Sequence, residues 1–189
     1  DYKKGRKPMP TALSDGLVNI KATLAEHDIN SFDAQSEADD VIATIAMKMI
    51  SNKGEVIIVS TDKGFSQLPT KNLTLWDHFN QQVFDVQQYE KKLGIEQYQM
   101  LDFIALAGDS GNKIPGIMGI GPKLAADLLN KFRTLANLYR SLDNLGAKQA
   151  LKLAEGKEIA RISYKLAQLQ CDIPLNINLK QFRINPITN

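Results

Sequence analysis

The sequence predicts an α/β front that passes into a helical second part, and three observations carry this. Residues 37–51 hold an unbroken helical stripe of apolar side chains, residues 56–59 form a continuous β-branched run, and from about residue 86 the pattern stays helical to about residue 170.

Taken in order, Pro8 and Pro10 precede Leu13, Leu17, Ile20 and Leu24, whose spacings of four, three and four predict an amphipathic helix over 11–27. A short strand is expected near Ile29 to Phe32. After Ser36, the positions Ala38, Val41, Ile42, Ile45, Ala46 and Met49 keep one helical face apolar, so a helix is expected over 37–51. Val56-Ile57-Ile58-Val59, bounded by Lys53-Gly54 and Ser60, reads as a buried parallel strand and closes a strand–helix–strand unit. Strand candidates at Leu73 to Trp76 and Val83 to Val86 precede helices near 87–93 and 96–107. The division is expected near residue 86, with an α/β domain over 1–86 and a helical domain over 87–189. The tail from Asp172, holding Pro174 and Pro186, has room for one edge strand.

With 43% hydrophobic and 23% charged residues in 189, the chain can build real cores, which excludes disordered, fibrous and disulfide-stapled classes. A single cysteine, Cys171, and the lack of a membrane-length apolar run point to a soluble, cytoplasmic protein with no membrane partner, expected to be a monomer. The formal charge of +2 names no partner, but the signs are segregated. Lys3, Lys4, Arg6 and Lys7 crowd the front, and Asp28, Asp33, Glu37, Asp39 and Asp40 follow without a base. Lys148, Lys152, Lys157, Arg161 and Lys165 then outnumber Glu155 and Glu158 over 146–165.

Ser36-Glu37-Ala38-Asp39-Asp40 sets three carboxylates where a strand is expected to hand over to a helix. Capping accounts for one or two of them, since Ser36 and Asp39 fit a capping box and first-turn acids complement the helix dipole. A third adds repulsion that a bound cation would offset. Asp62, in Ser60-Thr61-Asp62-Lys63-Gly64, stands at the carboxyl end of the next strand, where open α/β sheets place their sites, and could equally be an N-cap. Asp109, in Gly108-Asp109-Ser110-Gly111-Asn112, could bind a cation or form an Asx-turn.

Residues 114–124 read Ile-Pro-Gly-Ile-Met-Gly-Ile-Gly-Pro-Lys-Leu. The nucleotide P-loop fails here, because Pro122 stands where that motif needs Lys and Lys123 where it needs a hydroxyl. The dinucleotide fingerprint fails because no strand precedes the glycines. What remains is a helix, a glycine-rich turn, and a second helix opened by Pro122. Its free N–H groups beside Lys123 could hold a phosphate without reading a base.

Four ordered blocks, Tyr2 to Pro8, Glu37-Ala38-Asp39-Asp40, Ser60 to Gly64, and Gly108-Asp109 through Lys123, resemble the bacterial 5′-nuclease family of flap endonucleases and 5′→3′ exonucleases. The resemblance implies a parallel-sheet, PIN-like nuclease core followed by a helical part with a helix–three-turn–helix element. It implies magnesium-dependent hydrolysis of DNA at 5′ flaps or single-strand/duplex junctions during replication or repair. Carried onto this sequence, Glu37, Asp39, Asp40, Asp62 and Asp109 are the magnesium-binding acids, with Asp39 and Asp40 catalytic. Lys3 and Arg6 match the helical arch that acts on the flap. Gly119, Ile120, Gly121, Pro122, Lys123 and Leu124 match the duplex-binding turn. The backbone carbonyls of Leu106, Ala107, Pro115, Ile117 and Ile120 match a potassium site.

Two departures stand out. Gly64 replaces a family Asp, and Asn112 replaces another, so one strong divalent site and a weak or absent second one are expected. That weakening also suggests the alternative of a junction-binding protein with reduced catalysis. The family's first strand and a segment with two more catalytic acids are expected upstream of Asp1.

Overall fold

The computed structural model describes residues 8–184. Lys3 and Arg6, and the rest of the first basic block up to Lys7, lie outside the described residues.

Helix α1 (Thr11–Glu26) forms as expected, but Leu13, Leu17 and Ile20 on its stripe remain exposed. No strand forms at 29–32, where the chain is irregular. The expected strand–helix–strand unit is therefore absent, because a run this short gains too little from pairing without an adjacent ladder. Helix α2 (Ala38–Ser51) starts one residue later than expected. Glu37 is its N-cap and makes no side-chain cap hydrogen bond, so the Ser36 capping box is not realised. Asp39 and Asp40 do occupy the first turn and Lys48 the last, each at the end of the helix dipole that favours its charge. The buried face runs through Val41, Ala43, Thr44 and Ala46, while Ile42 and Met49 turn outward. Small residues on the inner face let the helix approach the sheet closely.

Strand β1 (Val56–Val59) pairs in parallel with β2 (Leu73–Asp77), from Val56 opposite Leu73 to Val59 opposite Trp76. The link between them carries a short 3-10 helix (Lys63–Gln67). A hairpin then sets the two-residue strand β3 (Gln82–Val83) antiparallel to β2, so the sheet is mixed, in the order β1-β2-β3. Strand β1 departs from the expected buried strand. Ile58 faces the core, while Ile57 and Val59 are 69% and 64% exposed. Successive strand residues face opposite sides, so with α2 against one side only alternate residues are covered. The first core gathers Ala43, Ala46, Ile58, Phe65, Leu68, Leu73, Leu75 and Val86.

The helical part begins with α3 (Val86–Leu93), capped by the Asp85 carboxylate and stopped by Gly94 in the left-handed region. Val86 starts this helix and does not extend β3. Then come α4 (Met100–Ala107), α5 (Pro122–Phe132), α6 (Leu135–Arg140), α7 (Ala147–Glu155) and α8 (Lys157–Ala167). Their core holds Leu106, Leu129, Leu138 and Leu153, all fully buried. Each such side chain contributes roughly 1.5–3 kcal/mol of hydrophobic stabilisation. Helix α8 packs on α4 and buries the small residues Ala160 and Ser163. Gln99, also fully buried, donates from its amide to the carbonyls of Leu129 (3.0 Å) and Arg133 (2.9 Å), satisfying the end of α5. The expected tail strand does not form among the described residues; Leu179–Phe182 is a 3-10 turn.

Candidate functional site

The five acids Glu37, Asp39, Asp40, Asp62 and Asp109 all line one cleft of about 200 Å³. They reach it from different starts. Glu37, Asp39 and Asp40 arrive on the first turn of α2, Asp62 from the end of β1, and Asp109 from the loop after α4. Because no strand forms at 29–32, the cleft is not built from two adjacent strand ends. Its acids come from one strand end and two helix ends.

The local alternatives for Asp62 and Asp109 are both realised at the same time as the cleft. Asp62 caps the 3-10 helix, with Oδ1 accepting from the Gly64 N–H at 2.7 Å. Asp109 makes an Asx-turn, with Oδ1 accepting from the Gly111 N–H at 2.9 Å. Its Oδ2 accepts from the Asn112 side-chain amide at 3.1 Å. Asn112 thus spends its amide on orienting Asp109. Gly64 also lines the cleft but brings no ligand atom. Lys63 sits with its ammonium 5.2 Å from the centre of the Tyr89 ring. Burial and then the negative charge of Asp109 push the Tyr89 phenol above its ordinary value.

Among the described residues, no group of three or more His, Cys, Asp or Glu side chains converges tightly enough to hold a metal ion by itself. The donor chemistry nevertheless fits a hard divalent cation. Every acid offers carboxylate oxygen, and magnesium is commonly held by one or two carboxylates with water and substrate phosphate completing its shell.

Part of the cleft wall comes from Lys165, the last member of the basic run, and from residues that no local pattern announced: Gln67 and the segment after α8 through Gln170. That segment crosses back to α2, where the Gln170 N–H donates to Asp40 Oδ1 at 2.9 Å. Its partners are 130 residues apart in sequence, so periodicity could not reveal it.

The glycine-rich turn lies between α4 and α5, closed at its base by an antiparallel bridge between Asp109 and Ile114. Gly121 is the N-cap of α5 and Pro122 its first residue, as expected. Gly119, Gly121, Pro122 and Lys123 are exposed and Leu124 is half-buried, but Ile120 is buried in the helical core. Ile120 can therefore offer a partner its backbone and not its side chain. Met118 projects from the turn, 94% exposed. From α7, the Lys152 ammonium reaches to 3.5 Å from the Gly119 carbonyl.

The segments carrying Leu106, Ala107, Pro115 and Ile117 are pressed together at the foot of the turn. Ile117 N–H donates to the Leu106 carbonyl at 2.8 Å, and Ile120 N–H to the Ile117 carbonyl at 3.0 Å. Gly116 N–H donates to the buried Ser163 hydroxyl at 3.2 Å, tying the turn to α8.

No helix among the described residues is long and apolar enough to cross a membrane.

Comparison with known proteins joins these features. Residues 1–94 match the family model for the 5′-3′ exonuclease N-terminal resolvase-like domain, and residues 95–189 match that for the 5′-3′ exonuclease C-terminal SAM fold. The chain is 99% identical over 189 residues to the Flap endonuclease Xni of Shewanella frigidimarina and spans 74% of that protein. It is 73% identical over 184 residues to the protein of the same name from Shewanella denitrificans, with 97% of this chain and 73% of that protein covered. Among solved structures, it resembles a bacteriophage T5 flap endonuclease in a complex with DNA and metal ions. There the TM-score is 0.71 at 22% identity, with 88% of this chain and 63% of that chain covered. The catalytic core of Rad2 in complex with DNA substrate gives a TM-score of 0.56 at 18% identity, over 90% of this chain and 60% of that one. The chain thus spans less than two thirds of these solved chains, and at such identities they speak for the fold alone. On the match of both domain models in order along the whole sequence, the chain belongs to the 5′-3′ exonuclease family.

Proposed function

We propose that this protein is a structure-selective DNA 5′-nuclease of the flap-endonuclease type, hydrolysing phosphodiester bonds at 5′ flaps or single-strand/duplex junctions. The observation that carries the proposal is the single cleft lined by acids from both halves of the chain, with a glycine turn and a helix start following from the same loop. A carboxylate-lined cleft repels a bare phosphate, so a polyanion is accepted there only with cations alongside.

In this reading the divalent ion is magnesium, held by Asp39 and Asp40 with help from Glu37, Asp62 and Asp109. The chemistry such an ion supplies to phosphodiester hydrolysis is activation of the attacking water and charge stabilisation at the leaving oxygen. Asp40, held by the Gln170 N–H, keeps a fixed orientation toward the cleft. Residues 119–124 receive the duplex backbone through the free N–H groups at the start of α5 and the charge of Lys123. Carbonyls of Leu106, Ala107, Pro115, Ile117 and Ile120 hold potassium at the foot of that turn. Lys3 and Arg6 steer the flap. The enzyme works as a cytoplasmic monomer in replication or repair, with an α/β nuclease part over 1–86 and a helical DNA-binding part over 87–189.

A second reading, a junction-binding protein with weakened catalysis, is favoured by Gly64 and by the Asn112 amide being committed to Asp109. Incubating the protein with an end-labelled 5′-flap duplex and magnesium separates the two. Cleavage that disappears in Asp39→Ala supports the nuclease. Flap binding without cleavage supports the junction binder, and cleavage unchanged in Asp39→Ala overturns the metal assignment.

A further inference from the structure

Asp40 and Thr44 stand four residues apart on α2 and so share one face of that helix. Both are bound to the same residue of the segment that follows α8. Gln170 gives its N–H to Asp40 Oδ1 (2.9 Å), and its carbonyl accepts from the Thr44 hydroxyl (3.2 Å). The Thr44 oxygen in turn accepts from the Ile173 N–H (3.3 Å). Gln67 ties the segment further upstream, donating to the Ala167 carbonyl (2.9 Å) and accepting from the Leu169 N–H (3.5 Å).

A threonine inside a helix ordinarily turns its hydroxyl back to the carbonyl four residues earlier. Thr44 instead directs a buried hydroxyl to backbone groups 126 and 129 residues away. The result is a clamp on Gln170 that leaves its N–H aimed at Asp40. We infer that Thr44 is a positioning residue of the metal site, acting through the returning segment to hold the Asp40 carboxylate in its orientation. The inference rests on the reading of Asp40 as a ligand proposed above.

Groups that orient a ligand in this way are commonly worth roughly 10–100-fold in metal affinity. The test is binding of manganese to the protein without DNA, followed by electron paramagnetic resonance. Thr44→Val, close in shape but without the hydroxyl, is expected to weaken manganese binding about tenfold, and Thr44→Ser to restore it. In an Asp40→Asn background, Thr44→Val is expected to add nothing. Gln67→Leu, which frees the other end of the segment, is expected to weaken binding in the same direction. If Asp40→Asn weakens manganese binding and Thr44→Val does not, the inference is overturned while the reading of Asp40 stands. If Thr44→Val costs the same with and without Asp40, the effect is structural and the inference is again overturned. If Asp40→Asn leaves binding unchanged, both fall. Should Thr44→Val fail to fold, Gln67→Leu with unaltered manganese affinity overturns the inference.

Discussion

Gly116 and Gly108 cross so closely that a Cβ on Gly116 would lie 2.2 Å from the Gly108 backbone nitrogen. Gly116 also sits at φ +63°, in the left-handed region. Gly116→Ala therefore combines backbone strain with a clash that no flexible side chain can relieve, and is expected to cost about 3 kcal/mol or more. Urea denaturation measures it. If residues 119–124 receive the duplex as proposed, the variant should also lose duplex binding, because the crossing sets the turn that leads to α5.

Asp39→Ala and Asp40→Ala are expected to lower flap cleavage at least about 100-fold while leaving flap affinity in the absence of divalent ions largely unchanged. Single-turnover cleavage and a binding titration in chelator separate the two effects. Loss of binding in parallel with cleavage would mean that the acids serve the fold.

Lys123 lies exposed on the first turn of α5. If it neutralises one phosphate, Lys123→Ala reduces the slope of log affinity against log salt by about 0.9 and weakens all duplex sequences alike. A filter-binding series across salt concentrations reads both numbers, and an unchanged slope removes Lys123 from the interface.

Burial raises the Asp102 carboxyl above its ordinary value, an effect partly countered by the Leu135 N–H that its Oδ2 accepts at 2.8 Å. A carboxyl with a raised folded pKa binds its proton more tightly in the folded chain. Stability from this group thus falls as pH rises from the unfolded value through the folded one. Relative to Asp102→Asn, the parent protein is expected to lose stability as pH is raised through that window and to level off above it. Melting temperatures of both proteins across the acid range supply the comparison.

Gln99→Leu removes one buried and one part-buried hydrogen bond and leaves the Leu129 and Arg133 carbonyls without their side-chain donor, although Leu129 still accepts from the Arg133 N–H. The expected cost is about 2–4 kcal/mol, with each lost partner in the range of roughly 1–3 kcal/mol. Chemical denaturation measures it, and an unaltered midpoint would mean that water replaces the amide.

What could be read from the sequence was what depends on neighbours along the chain. Helix α2, the Val56–Val59 strand, and the Pro122 start of α5 follow from periodicity, β-branching and proline chemistry, and all three formed. Ile29 to Phe32 offered only two apolar residues, with Asn30 and Ser31 between them, and had no ladder to join. Ile57 and Val59 looked buried because composition cannot say how many faces of a sheet are covered. For Asp62 and Asp109 the local alternatives were caps and turns, and the structure shows those roles together with a place in the cleft. Gln67, Thr44 and Gln170 carried no local signal, since their partners lie about a hundred residues away or more.

The hydrogen bond from Gln170 to Asp40 also bears on the order of events during synthesis. The ribosome delivers the acidic turn of α2 long before residue 170 emerges, and early segments fold first. Until the later segment arrives, Asp40 lacks its backbone donor and the cleft lacks a wall. A nascent chain would thus carry its carboxylates in an unfinished setting and gain its mature cleft only once α8 and the segment after it are out, which delays the complete cleft until the helical half is also folded.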